Sequence, residues 1–240
     1  MPPSRSDDGP LPCAPVRISR FAWPSHETAL PAPGGAFRLR LGTRINGDAG
    51  IFPEAAEGEH ELARFVIGYC RAVVPVGTDG RPLAFGKDGP LGEVCVGGGE
   101  MVLTGSRLCL VLIKATGALG KADDERGSVI CVDVPFGSIG SIALLRRKRA
   151  FRGIKDRQLR CYLSRPAGAL DIEPVAVFVA GEKRPVRIGL AAAYDQIVRA
   201  VCEDALSATL LEAGERDRLR LVRDGARTYD ELDLVADITR

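Results

Sequence analysis

The stretch 158-QLRCYLS-164 alternates: Leu159, Cys161 and Leu163 fall on one side of an extended chain, Arg160, Tyr162 and Ser164 on the other. Successive side chains of a strand point to opposite faces, so this is the pattern of a strand with one buried and one wet face. Similar short β-rich runs surround it, namely 101-MVLT-104, 107-RLCLVLIK-114, 128-SVICVDVPF-136, 141-SIALL-145 and 174-PVAVFVA-180, each bounded by Gly, Pro or charged turns. Parallel neighbours need long crossovers, and the brief connections here leave little room for them. An antiparallel sheet is therefore expected.

One helix follows the strands. In 189-GLAAAYDQIVRAVCEDAL-206, Leu190, Tyr194, Ile197, Val198, Val201 and Ala205 form an apolar stripe. Asp195, Arg199 and Glu203 alternate in sign at i,i+4 spacing on the far side. A helix with a single apolar face must cover something, and the open end of the preceding sheet is the expected place.

Upstream, 37-FRLRL-41 alternates like a half-buried strand. The run 61-ELARFVIGYCRAV-73 places Leu62, Phe65, Val66, Tyr69, Cys70 and Val73 on one helical stripe, while Gly68 and the β-branched content also allow a strand over 65-FVIGY-69. Turns follow at Thr78–Pro82 and at Lys87–Pro90, and the second marks the expected domain boundary. Residues 1–35 are rich in proline and poor in large apolar side chains, so a disordered leader is expected there. In the tail, Thr228 and Glu231 fit a capping box for a short final helix through Val235, and Arg223–Ala226 also reads as a tight turn. The organisation read from the chain is thus a leader (1–35), a lead-in with a strand and a helix (36–89), a strand-rich domain ending in a helix (90–206) and a tail (207–240).

Bulk properties narrow the function. With 240 residues, 45% hydrophobic and 27% charged, the chain can bury a normal core. A net charge of +2 creates no global field for nucleic acid, and one Trp, four Tyr and eight Phe are few for base-stacking platforms. Seven cysteines without CxxC or CxxH spacing argue against zinc and for a reducing compartment. The longest apolar run, Leu108–Ile113, is too short to span a bilayer, and no signal peptide precedes it. A cytoplasmic protein, peripheral to a membrane at most, is the expectation.

Catalytic signatures are missing. His26 and His60 are the only imidazoles; His60 sits among polar neighbours, and no third group visibly orients a Cys–His pair. Ser106 and Ser138 adjoin glycines but lie in no GxSxG elbow. The run 97-GGGEM-101 is no phosphate cradle, and Asp123-Asp124-Glu125 lacks calcium-loop spacing. Asp133 within its strand could be a buried polar group, and an outward-facing position is the simpler expectation. No catalytic residue, cofactor or metal is assigned. A small enzyme with its site between residues 36–89 and the strand-rich domain stays open as the alternative.

Two segments carry a family resemblance over roughly residues 90–206. The stretch 99-GEMVLTGSRLCLVL-112 resembles the opening hairpin of GRAM domains, the pleckstrin-homology-like modules of myotubularins and many bacterial proteins. The stretch 133-DVPFGSIGSIALL-145 resembles their Val-Pro-Leu-x-x-Ile-x-x-Ile/Val segment, where one strand ends and the next begins. A helix also stands last, as in that fold. The resemblance implies an α+β fold: a mainly antiparallel split β-barrel capped by a C-terminal amphipathic helix, serving as a binding module. Its phosphoinositide-binding members use basic residues in the first hairpin loops. Here Thr104–Arg107 is too short for that, and the charges of Lys114–Ser128 sum to zero.

The basic residues lie elsewhere. Between Arg146 and Arg160 eight cations face one acid, Asp156, giving 8 − 1 = +7. The candidate anionic-ligand residues are Arg146, Arg147, Lys148, Arg149, Phe151, Arg152, Lys155 and Arg157, expected in a loop or extended hairpin tip. Such a tip can be merely a solvated turn that discourages edge pairing. It can also adhere to an anionic leaflet, with Phe151 as interfacial anchor. An acidic protein partner suits the same charges. A nucleic-acid contact would need only such a cluster, and the near-neutral total charge argues against it.

Overall fold

The computed structural model describes residues 16–21, 37–43, 49–75, 77–78, 91–113, 129–148, 155–164, 167–207, 211–225 and 234–237. In chain order these form β1 (Arg17–Phe21), β2 (Phe37–Thr43), β3 (Ala49–Ala55), β4 (Glu61–Pro75), β5 (Leu91–Thr104), β6 (Arg107–Ile113) and β7 (Val129–Pro135). A 3-10 turn (Phe136–Ser138) leads to β8 (Ile139–Lys148), β9 (Lys155–Ser164), β10 (Ala167–Val177) and β11 (Val186–Arg187). Then come α1 (Leu190–Ser207), α2 (Ala213–Gly225) and β12 (Leu234–Asp237).

Ten strands make one sheet in the order β1-β7-β6-β5-β4-β10-β9-β8-β12, with β11 on β10, and β2–β3 form a separate hairpin. Every pairing described is antiparallel. The connectivity forces the sheet to curl. Strands β7 and β8 stand six places apart in the order, about 29 Å across a flat sheet. Only the 3-10 turn joins them, and the four peptide steps from Pro135 to Ile139 span at most about 14 Å. The sheet is therefore curled into a half-barrel whose edge strands are β1 and β12.

The concave side holds the main core. Alternate residues of β4 to β10, such as Phe65, Leu103, Leu110, Val132, Ile142 and Leu159, pack with Tyr194, Ile197, Val198 and Val201 of α1. Helix α2 adds Leu219. On the convex side the β2–β3 hairpin lays Phe37, Leu39 and Ile51 over Val102, Cys109, Val111, Val129 and Cys131. Strands β6 and β7 are thus covered on both faces, which is why their sequences are apolar without alternation.

Several expectations need correction. The 61–73 segment, read as a helical stripe with a strand over 65–69 as the alternative, is strand β4: Phe65, Ile67, Cys70, Ala72 and Val74 are among its buried residues, whereas Leu62 is exposed. The ladder to β5 shifts register between Ile67 and Cys70, and this bulge inserts a three-residue step that imitates helical spacing. The glycine run lies opposite that bulge. A Cβ on Gly98 would crowd the carbonyl oxygens of Ile67 and Gly68, and one on Gly99 would collide with the carbonyl oxygen of Val111. Glycine lets three backbones close on one another where the sheet bends.

Inside the proline-rich leader, 17-RISRF-21 is a strand, β1, paired with β7, rather than unstructured chain. The rest of that leader, together with the Lys87–Pro90 turn, lies outside the described residues, and β4 and β5 on either side of that turn pair with each other. The capping-box residues Thr228 and Glu231 also lie outside the described residues. Leu234 and Val235 are in a strand, β12, instead of the expected final helix, because β8 has an edge for them to pair with.

Candidate anion-binding surface

Strands β8 and β9 form a hairpin whose ladder runs without a shift from Ser141↔Tyr162 to Lys148↔Lys155. Strand β10 pairs with β9 only as far as Leu159, and β12 pairs with β8 only over Ser141–Leu144. From the Leu145↔Gln158 row outward, then, the two strands continue as a two-stranded arm with no further strand paired to it among the described residues. Five of the eight sequence candidates sit on this arm: Arg146, Arg147 and Lys148 in β8, Lys155 and Arg157 in β9. Arg149, Phe151 and Arg152 lie outside the described residues. The register sets Arg146 opposite Arg157, Arg147 opposite Asp156, and Lys148 opposite Lys155.

Arg160, the eighth cation of the +7 segment, plays a different part. It stands in register with Asp171 of β10, which in turn stands in register with Arg71 of β4. Arg160 donates from Nε to Oδ1 of Asp171 at 2.6 Å and from Nη2 to Oδ2 at 3.0 Å. Arg71 donates from Nη2 at 2.6 Å and from Nε at 3.1 Å, both to Oδ2. The Asp171 side chain is 2% exposed, while the two arginines stay about a quarter exposed. Hydrogen bonding to Asp171 raises the Arg160 pKa further, against the opposing effect of burial. Its guanidinium also lies 5.8 Å from the Tyr162 ring centroid, within cation–π range. Sequence reasoning missed Asp171 and Arg71, because nothing along the chain indicates that β10 lies between β4 and β9.

The hairpin-covered part of the convex face holds a second ionic group. In the β5–β6 turn the Thr104 hydroxyl oxygen accepts from the backbone N–H groups of Ser106 and Arg107, both at 3.2 Å. This aims Arg107, which meets Glu59 at 2.9 Å and Asp133 at 3.5 Å. Asp133 is on the convex face but buried, because the β2–β3 hairpin and its connection to β4 cover that half of the sheet. Burial raises its pKa despite the opposing pull of Arg107 and Arg17.

These groups assemble no catalytic constellation among the described residues. The Ser106 hydroxyl donates to Glu59 at 3.0 Å, but His60 is exposed and bonds to neither. Ser138 is buried and donates to the Pro135 carbonyl at 2.7 Å. Burial pushes the thiols of Cys131 and Cys161 up to about 12 and that of Cys202 to about 11, and raises Cys109 further still. Thiols so placed stay protonated at neutral pH and are poor nucleophiles and metal ligands. No group of metal-ligating side chains occurs among the described residues. A groove of about 370 Å³ runs beside the β10 bulge, lined by Glu173, Pro174, Val175, Arg187, Ile188 and Leu190. No helix among the described residues is long and apolar enough to cross a membrane. Comparison with protein-family models, curated proteins and solved structures yields no match.

Proposed function

We propose that this chain is a non-catalytic binding module of the pleckstrin-homology/GRAM-like type, a split barrel stoppered by α1, that contacts anionic lipid at the membrane periphery through the β8–β9 arm. The register of that arm carries the reading. Two of its three outer rows set like charges opposite each other, Arg146 against Arg157 and Lys148 against Lys155. Like charges directly opposed weaken an antiparallel ladder. A plane of anionic headgroups offsets that repulsion and gains about 1 kcal/mol per basic residue near its surface. Support for the family assignment comes from the run of antiparallel strands β4 to β10, with the short β11 before α1, and from a tight hairpin at Thr104–Arg107 where the resembling segment lies.

Co-sedimentation with vesicles tests the reading. At low salt the chain should pellet with vesicles containing phosphatidylserine and stay in solution with pure phosphatidylcholine, and added salt should release it. Equal behaviour toward both vesicles sinks the lipid assignment. Salt-sensitive capture by polyglutamate in place of vesicles would move the partner to an acidic protein.

A further inference from the structure

We infer that the β2–β3 hairpin is a strap, locked at its pivot by Glu59, that lifts from the convex face as a unit and uncovers an apolar, thiol-bearing strip of β5, β6 and β7. This strap lies in the other half of the sheet from the β8–β9 arm and does not depend on what the arm binds.

Strands β2 and β3 pair with each other from Phe37↔Ala55 to Thr43↔Ala49, and no ladder joins either to the ten-stranded sheet among the described residues. Side chains hold the hairpin down instead. Phe37, Leu39 and Ile51 bury against Val102, Cys109, Val111, Val129 and Cys131. Polar ties add to them. Arg64 of β4 donates from Nη1 to the Pro53 carbonyl of β3 at 2.7 Å. Beyond β3, Oε1 of Glu59 accepts from the Ser106 hydroxyl at 3.0 Å and from Nε of Arg107 at 2.9 Å. A tight turn sets that carboxylate in place: Gly58 has a φ of 83°, and the Glu59 N–H donates to the Ala56 carbonyl at 3.0 Å. The hairpin can swing only about this connection to β4, so the Glu59 ties lock its pivot.

A unit held by side chains alone opens at lower free energy than strands that share backbone hydrogen bonds with two neighbours. Opening also relieves buried polar groups. Water returns to Asp133, whose charged form burial disfavours. It also reaches the buried Oε2 of Glu59, which has no hydrogen-bond partner in the closed hairpin.

The thiols report the motion. Cys109 and Cys131 lie beneath the hairpin at 0% and 1% exposure, whereas Cys161 lies in the concave core with α1, also at 0%. Burial pushes Cys131 and Cys161 alike up to about 12. Closed, the two are equally shielded and equally poor nucleophiles. They differ in their cover, a detached hairpin for one and the main core for the other.

The experiment is iodoacetamide labelling of the full chain, without denaturant and at mildly alkaline pH, followed by peptide mass spectrometry. Melting temperatures establish that each variant stays folded. In wild type, Cys109 and Cys131 should label at similar rates, at least about tenfold faster than Cys161. E59A removes the charged ties and should speed both by a further factor of about ten, leaving Cys161 within about twofold. E59Q keeps an acceptor for Ser106 and should fall between. One common rate for all three thiols in wild type, or a parallel rise of all three in E59A, would show that only global unfolding exposes them and overturn the strap. Acceleration of Cys109 without Cys131 overturns movement as a unit, and unchanged rates in E59A overturn the lock. If E59A does not fold, the wild-type rates decide the strap and E59Q decides the lock.

Discussion

Strands β6 and β9 lie in the two halves of one curled sheet, and their sequences differ because their surroundings do. In 107-RLCLVLI-113 the five central residues are all buried, since the concave face meets the core and the convex face lies beneath β2–β3. In 158-QLRCYLS-164 only one side is apolar, and Tyr162 and Ser164 are exposed on the other. Each half buries one aspartate on its convex face, and the contrast between them is instructive. Asp171, in the half without the hairpin, is gripped by guanidinium groups from both neighbouring strands at 2.6 Å. Asp133, in the covered half, has Arg107 at 3.5 Å and Arg17 in register on β1, yet burial dominates its titration. Cover from β2–β3 excludes water from one carboxylate, while open access lets two long arginines neutralise the other and remain partly hydrated.

The largest expected effect comes from removing the cover. Phe37→Ala deletes a side chain that is 1% exposed and should cost about 3–4 kcal/mol in urea denaturation. A cost below about 1 kcal/mol would mean that the hairpin does not seal this half.

Next comes Asp171→Ala. Removing one partner of a buried ion pair costs about 3–5 kcal/mol, and hydration of the two partly exposed arginines should reduce this to about 2–3 kcal/mol. Equal stability of D171A and wild type would show that the cluster contributes nothing and that its geometry serves another purpose.

A smaller effect concerns Asp133. Its folded pKa lies above its unfolded value, so the folded state retains a proton that the unfolded state has already released. Its contribution is therefore most favourable below the ordinary aspartate value of about 3.9, and it is lost as pH rises through the raised folded pKa. Thermal melts across that window should fall more steeply with pH for wild type than for Asp133→Asn. The opposite slope difference would mean that Arg107 and Arg17 outweigh burial.

The smallest change is expected on the arm. Arg146→Ser removes one of two opposed cations and should leave stability unchanged or raise it by about 0.2–1 kcal/mol. A loss larger than that would mark Arg146 as a structural residue and undercut its role in binding.

Legibility followed coverage. Where one face is wet, alternation reports the strand directly, as in Leu159–Ser164, and the amphipathic stripe of α1 is equally plain because that helix buries a single side. The cationic run, expected as a loop or an extended hairpin tip, continues the β8–β9 ladder over positions 146–148 and 155–157, and which positions oppose one another needs the register. The β4 bulge disguised a strand as a helix by breaking its two-residue period. Helix α2 escaped notice because only Leu219 of its charged sequence is fully buried. Strand β3 carries Pro53 within it, tolerable in a two-stranded hairpin but a poor strand signal.

By itself the sequence determined what depends on neighbours along the chain: the alternating strands, the one-sided helix, and the concentration of positive charge between residues 146 and 160. Strand pairing is a contact between distant segments, so tertiary structure alone decided that Arg71 and Arg160 would flank Asp171 and that Asp133 would lie under a hairpin. It also decided that Arg146 would oppose Arg157 while Arg147 opposed Asp156. Composition sets how much charge a segment carries; register determines which of those charges cancel.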